Sequence, residues 1–238
     1  MARDRYSVGF VFTTLAFLAA VPLAEADSAD SPVPLMKGER IVFLGDSITQ
    51  AGAGPNGYVT LIRKALDEKH KDLGIKVIGA GISGNKVSDL QRRLGKDVLS
   101  QKPTLVVVYI GINDVWHGEK DPAKGTLPDR YEAGLKDVIG RIQGAGARVI
   151  LCTPSVIGEK HNGENKLDSR LDEYSEISRK VASKSKVQLL DLRKAFQDYL
   201  KEHNSEDKER GILTSDRVHL NHAGNRFVAD VMLKALGD

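Results

Sequence analysis

The chain has 238 residues, of which 41% are apolar and 28% are charged, and its formal net charge is +3. These values are ordinary for a folded globular protein, and they exclude a disordered, collagen-like or low-complexity chain. Basic and acidic residues are interspersed and only 5% of residues are aromatic, so the sequence lacks the basic stripe and the stacking surface of a nucleic-acid-binding protein.

Residues 1–26 have the pattern of a secretory signal peptide. Two arginines precede an apolar run over residues 8–20, and the small-x-small sequence at 24–26 is typical of a cleavage site. The run is shorter than the ~20 residues that span a bilayer, although an uncleaved anchor is the alternative. We therefore expect an exported protein, periplasmic or secreted, whose domain covers residues 27–238 and has no membrane span once the signal is removed.

The rest of the chain alternates between apolar runs and helical patterns. The runs are rich in Val and Ile without strict alternation, which is typical of strands buried on both faces: Ile41–Leu44, Ile75–Ile78, Leu105–Ile110, Val149–Leu151 and Val187–Leu190. Apolar residues at helical spacing lie between and after them, at Tyr58–His70, Val87–Leu99, Tyr131–Gln143, Leu167–Ala182 and Phe227–Leu236. This order predicts one α/β domain with a parallel sheet, helices on both faces, and a ligand site at the carboxyl ends of the strands.

Polar, glycine-containing turns follow the first three predicted strands, at residues 45–50, 79–85 and 111–114. Ser47 comes directly after the first strand, where a hydroxyl can be exposed at the edge of the sheet, although a lone serine there is more often a helix cap. Near the C-terminus, Asp216 precedes His219 by three residues. A carboxylate at that spacing can reach the imidazole Nδ1 and leave Nε2 free as a base, although alone the pair is equally consistent with surface residues at a helix start.

Together, GDSIT at 45–49, SGN at 83–85, GIND at 111–114 and DRVH at 216–219 resemble the four blocks of the SGNH hydrolases, also called GDSL esterases/lipases. The blocks occur in family order across residues 41–222. The resemblance implies a three-layer α/β/α sandwich with a five-stranded parallel sheet, flavodoxin-like in arrangement. It also implies that Ser47 is the nucleophile of a triad with Asp216 and His219, and that the Gly84 amide and the Asn113 side chain stabilise an oxyanion. The backbone amide of Ser47 is a third candidate donor.

The expected substrate is a carboxylic ester with a short acyl group, acetyl above all, on a polar alcohol or saccharide. The segments 117–128 and 158–166 contain one large apolar residue between them, Leu127, whereas burial of a long acyl chain contributes about 0.8 kcal/mol per methylene and needs a broad apolar surface. Asp46, Trp116 and His117 are the candidate substrate contacts. A lysophospholipase, lipase or thioesterase of the same family is the alternative.

Two other kinds of enzyme match parts of the sequence. The G-x-G-x-x-G pattern at 79–84 formally matches a dinucleotide-binding fingerprint, but the acidic residue expected about twenty positions further on is missing. Asp46, Asp114, His117 and His222 are conceivable ligands of a metal-dependent phosphoesterase, although no metal-binding sequence motif accompanies them, and the single cysteine excludes a thiolate cluster. We therefore expect neither a cofactor nor a metal, and the sequence does not indicate the oligomeric state. A fold that binds without catalysis is the non-enzymatic alternative.

Overall fold

Five parallel strands form the centre of the molecule in the computed structural model, which describes Met1 and residues 32–238. The strands are β1 (Arg40–Gly45), β2 (Lys76–Gly81), β3 (Leu105–Tyr109), β4 (Arg148–Cys152) and β5 (Gln188–Leu190). Their order in the sheet is β2-β1-β3-β4-β5, and every neighbouring pair is parallel. This is the flavodoxin-like order, and it confirms the predicted five-stranded parallel sheet. The predicted signal peptide lies outside the described residues apart from Met1.

Eight α-helices surround the sheet over residues 32–238: α1 (Ser47–Gly52), α2 (Tyr58–Lys69), α3 (Val87–Asp97), α4 (Ile112–Trp116), α5 (Pro128–Gly144), α6 (Asp168–Ser185), α7 (Leu192–His203) and α8 (His222–Ala235). Helix α2 packs against α8, and α5 packs against both α3 and α6. These two groups cover the two faces of the sheet and give the expected α/β/α sandwich. Among these helices, none combines the length and the apolar composition that crossing a membrane requires.

The central strands carry the core. All five residues of β3 are buried, and so are residues 41–45 of β1, whereas β2 and β5 at the edges are only partly buried. Burial of a Val, Leu or Ile side chain contributes roughly 1.5–3 kcal/mol, so the β1–β3 pair is the most firmly held part of the sheet. The chain leaves β1 and β3 toward opposite sides, and in open α/β sheets the crevice between two such strands is the usual ligand site.

The helices differ from the sequence pattern in two places. Helix α8 begins at His222, five residues before the predicted start, because the Asn221 side chain caps it by accepting the Gly224 N–H at 2.9 Å. Helix α7 was not predicted, because it follows β5 after a single residue, Asp191, whose carboxylate accepts the Lys194 N–H at 3.1 Å. In both cases a side-chain cap sets the boundary, and apolar periodicity does not register it.

Candidate active site

Ser47 is the first residue of α1 and lies directly beyond the carboxyl end of β1. The residue between them, Asp46, turns the chain into the helix by accepting the Ile48 N–H on its carboxylate at 2.9 Å. The Ser47 side chain is therefore held at the start of a helix, where the backbone N–H groups have no partner within the helix.

Glycines let α1 lie directly against the sheet. A Cβ on Gly45 would fall 2.6 Å from the Tyr109 carbonyl oxygen, and a Cβ on Gly81 would fall 2.7 Å from the Asp46 carbonyl oxygen. Both distances are too short for a real contact, so any larger residue would push α1 and Ser47 away from the strands. The glycine at position 81 of the G-x-G-x-x-G pattern thus has a packing role beneath α1, which accounts for it without a bound nucleotide.

The loop before α8 brings the C-terminal pair to Ser47. His219 Nε2 lies 2.8 Å from Ser47 Oγ, and His219 Nδ1 lies 2.7 Å from Asp216 Oδ2. With Nδ1–H donating to the carboxylate, Nε2 is left to accept the serine hydroxyl. Residues separated by 172 positions in the chain are therefore joined in a continuous hydrogen-bonded series.

Asp216 also shapes its own loop. Its Oδ1 accepts the backbone N–H groups of Val218 at 3.1 Å and His219 at 2.8 Å. Partial burial acts to raise the pKa of Asp216. Hydrogen bonds from the His219 ring and from these two amides outweigh that effect and hold the pKa of Asp216 below its ordinary value. Because the Asp216 side chain is 47% exposed, water screens its charge, and its principal effect is to orient the imidazole.

The two predicted oxyanion donors lie on turns that are tied together. Gly84 has φ +76° in the turn after β2, a conformation that favours glycine. Asn113 is buried at the start of α4, and its Nδ2 donates to the Asn85 carbonyl at 3.0 Å. The same turn is fixed to α1, because the Ser83 N–H donates to Gln50 Oε1 at 2.6 Å. The Asn113 amide carries two donors, so its bond to Asn85 uses one of the two.

Arg93 of α3 supports this arrangement and was not singled out from the sequence. Its Nη2 donates to the Gly45 carbonyl at 2.7 Å, and its Nε donates to Asn85 Oδ1 at 2.6 Å. Burial lowers the pKa of this guanidinium, while Asp97 acts in the opposite direction. One side chain thus connects the end of β1 with the turn after β2. The local sequence around Arg93 shows only a polar helix face, so no sequence signal marks this role.

The three candidate substrate contacts occupy different places. The Trp116 ring lies beside the imidazole of His219, with ring centroids 6.5 Å apart in an edge-to-face arrangement. His117 is exposed, and its pKa is lowered first by partial burial and then by the charge of Lys86. Asp46 is buried and its carboxylate caps α1 from below. The Asp46 carboxylate therefore lies under α1, whereas the Trp116 ring lies beside the imidazole of His219.

Two buried carboxyls lie beneath the site. Burial raises the pKa of Asp46 to about 7. The hydrogen bond from the Ile48 N–H acts to lower this pKa, and the charge of Asp114 acts to raise it further. Burial likewise raises the pKa of Asp114 to about 6, opposed by hydrogen bonds from Thr126 and from the Val87 amide. Asp114 thereby connects α4 to the start of α3, where its carboxylate accepts the Val87 N–H at 3.2 Å.

The raised pKa of Asp46 predicts a pH-dependent stability. Between pH values of about 4 and 7 the folded state retains a proton that the unfolded state has released, so the free energy of unfolding falls as the pH rises. Asp46→Asn keeps an acceptor for the Ile48 N–H and removes the titration. Between these pH values, we expect the free energy of unfolding to fall less in the variant than in the wild type, and the difference should be on the order of a few kcal/mol. Urea unfolding at both ends of the window measures the difference, and parallel curves for the two proteins would contradict it.

The conceivable metal ligands are not grouped. His222 is exposed at the start of α8, whereas Asp46 and Asp114 are buried. Within residues 32–238, no three His, Cys, Asp or Glu side chains are placed so that they could hold one metal ion.

The chain is similar in sequence and in structure to known esterases. The sequence profile of the GDSL-like lipase/acylhydrolase family matches residues 43–227, which contain all four sequence blocks. An acetylxylan esterase of Geobacillus stearothermophilus is 34% identical over 214 residues, covering 84% of this chain and 94% of that protein. An isoamyl acetate-hydrolyzing esterase 1 homolog of Rattus norvegicus is 27% identical over 205 residues, covering 79% and 78% of the two chains. The crystal structure of the acetyl xylan esterase AlAXEase superposes with a TM-score of 0.79 at 47% identity, covering 83% of this chain and 99% of that one.

Proposed function

Because this chain belongs to the GDSL-like lipase/acylhydrolase family of SGNH hydrolases and is an ester-hydrolysing enzyme, we propose that Ser47 is its nucleophile and that it removes short acyl groups, acetyl above all, from saccharide hydroxyls. The observation that carries the proposal is the hydrogen-bonded series from Ser47 Oγ through His219 to Asp216, with distances of 2.8 and 2.7 Å. Acyl transfer requires a hydroxyl, a base and an orienting carboxylate in this order.

In the proposed mechanism, Ser47 Oγ attacks the ester carbonyl while His219 Nε2 takes the hydroxyl proton. Asp216 holds the imidazole in place and stabilises its protonated form. The tetrahedral intermediate then collapses, the C–O bond to the alcohol breaks, and His219 gives its proton to the leaving oxygen. Water repeats the sequence on the acyl-enzyme, with His219 again as base, and releases the carboxylic acid and free Ser47.

Three donors are proposed to stabilise the negative oxygen of each tetrahedral intermediate. They are the backbone N–H groups of Ser47 and Gly84 and the side-chain amide of Asn113. Each comes from a different strand end, and the contacts from Gln50, Arg93 and Asn85 hold the three turns together. Such preorganised donors act on the charge that develops in the transition state, and loss of one typically lowers kcat by about 100- to 1000-fold.

The proposal of a saccharide acetate rests on two observations. First, the similar proteins include enzymes named for acetylated substrates, the acetylxylan esterases and the isoamyl acetate-hydrolyzing esterase homolog. Second, a shallow groove of about 400 Å³ lies beside the loop that carries His219, and apart from Leu220 its lining residues are small or polar: Ala51, Gly54, Pro55, Asn56, Gly57, Leu220, Asn221, His222 and Asn225. The Asn and His side chains of this groove offer hydrogen-bond partners for sugar hydroxyls, and its single large apolar side chain, Leu220, is too little to bury a long acyl chain.

A panel of p-nitrophenyl esters of increasing acyl length, run beside acetylated xylo-oligosaccharides, tests the substrate. We expect kcat/KM to be highest at about two to four acyl carbons, because the site offers little apolar surface for additional methylenes. Acetate release from the oligosaccharides should also be measurable, with Ser47→Ala as the blank. Highest efficiency at eight or more carbons would contradict the proposal and favour the lipase or lysophospholipase alternative.

We further propose that the protein is exported and that the signal at residues 1–26 is cleaved after Ala26. The basic start, the short apolar run and the small residues at 24–26 support this. The intact mass of the protein recovered from a periplasmic fraction or from the medium measures the cleavage position. Recovery of the full-length chain from the membrane fraction would instead indicate an uncleaved anchor.

A further inference from the structure

Glu159 is a fully buried carboxylate on the segment that follows β4. Its Oε1 accepts the backbone N–H groups of Leu213 at 2.7 Å and Thr214 at 2.5 Å, and its Oε2 accepts that of Ile212 at 2.8 Å. Successive backbone N–H groups of this kind form a concave anion-binding site. In the part of the chain that the structure describes, Glu159 has no ion-pair partner, so the three backbone N–H groups are what stabilises its negative charge.

The three amides lie at the entrance to the loop that carries the Asp–His pair. Thr214 pairs with Leu220 in an antiparallel bridge, and the Ser215 N–H donates to the His219 carbonyl at 2.8 Å. The positions of Asp216 and His219 therefore depend on how residues 212–214 are held. Glu159 holds them across a separation of 53 to 55 positions in the chain.

The neighbouring residue holds the far side of the same loop. The Gly158 N–H donates to the Arg217 carbonyl at 2.9 Å. Arg217 has φ +86°, a strained value for a residue with a side chain, and such conformations persist only where the surroundings enforce them. Gly158 and Glu159 thus contact the loop both before Asp216 and between Asp216 and His219.

The backbone of Glu159 is itself anchored. Its N–H donates to the Glu209 carbonyl at 3.0 Å, and its carbonyl accepts the Asn204 side-chain amide at 2.8 Å. The carboxylate is therefore a fixed point and not a mobile side chain that adapts to the loop.

We propose that Glu159 is a positioning residue for the Asp216–His219 half of the triad, an inference that rests on the proposed function. A carboxylate is required because it has two oxygens and no donor, so it accepts all three N–H groups. A glutamine would direct an NH₂ group at one or more of these amides and leave a buried donor without a partner. The loop would then relax, and the distance from His219 Nε2 to Ser47 Oγ would change.

The test compares Glu159→Gln with Glu39→Gln. Glu39 is also a buried carboxylate, but it pairs with Arg148. This pair lies beside the amino end of β1, whereas Ser47 lies beyond the carboxyl end of the same strand. With p-nitrophenyl acetate we expect Glu159→Gln to lower kcat by about 10- to 100-fold with little change in KM, because a displacement of about 1 Å in a catalytic group costs this much. The rate at which an organophosphonate labels Ser47 should fall by a similar factor. The Glu39→Gln variant should keep the wild-type kcat and labelling rate.

A spectroscopic readout separates positioning from general destabilisation. The proton between His219 Nδ1 and Asp216 Oδ2 should give a far-downfield proton resonance in the wild type, and we expect this resonance to shift or broaden in Glu159→Gln and to persist in Glu39→Gln. A folded Glu159→Gln protein with wild-type kcat and labelling rate would overturn the proposal. If the Gln variant does not fold, Glu159→Asp keeps the charge but retracts it by one methylene, and the same loss of kcat is expected. Wild-type kcat in Glu159→Asp would then overturn it. An active Ser47→Ala would contradict the proposed function instead, so the two failures are distinguishable.

Discussion

Replacement of Ser47 by alanine is expected to lower kcat by about 10⁶-fold, the loss typical of removing the nucleophile from a hydrogen-bonded triad. In the variant, His219 Nε2 has no hydroxyl to deprotonate and no acyl-enzyme can form. Asp46 still caps α1, and Gly45 and Gly81 still allow the helix to pack against the sheet, so we expect the fold to be retained.

Covalent labelling measures this prediction more directly than residual turnover. An organophosphonate should label the wild-type protein at Ser47, and peptide mass spectrometry locates the adduct. Ser83→Ala provides the control, because Ser83 lies on the adjacent turn and its backbone N–H is bonded to Gln50. The label should persist in Ser83→Ala and be absent from Ser47→Ala. A label that survives in Ser47→Ala would show that another residue is the nucleophile.

The sequence predicted the parts of the site that follow from chain position. The strands were recognisable by composition, and parallel strands place their carboxyl ends at one edge, so residues such as Ser47 and Asn113 could be expected there. The Asp216–His219 contact is local, with a separation of three positions in the chain, and could therefore be predicted from the sequence. The family resemblance supplied the pairing of this segment with Ser47, which residue spacing alone left open.

The remaining features depend on contacts that have no local signature. Glu159 and Arg93 make hydrogen bonds to backbone groups far away in the chain, and nearly every residue type presents those groups. The burial of Asp46 could not be predicted from the sequence either, because the residues beside it do not show that its carboxylate lies under α1. Side chains that recognise backbone thus form the least predictable layer of the site.

Two histidines follow Asp216 within six residues, and the structure distinguishes them sharply. His219 lies between Asp216 and Ser47, whereas His222 begins α8 and is exposed beside the groove. His219→Ala removes both the base for Ser47 and the acid for the leaving alcohol. We therefore expect a loss of kcat on the order of 10⁶-fold, comparable to that of Ser47→Ala. The double variant should be scarcely worse than either single variant, since residues that act as a unit are not additive in their effects.

His222→Ala is the matched control for this prediction. His222 is three residues from His219 in the same segment. In the part of the chain that the structure describes, however, it has no hydrogen bond to Ser47 or to Asp216. On p-nitrophenyl acetate the kcat of His222→Ala should stay within about threefold of the wild-type value, because His222 is exposed and lies outside the hydrogen-bonded series from Ser47 to Asp216. On acetylated oligosaccharides, KM should be the parameter that changes, since His222 lines the groove proposed to bind the sugar. Loss of kcat in His222→Ala with retention in His219→Ala would reverse the assignment of the base.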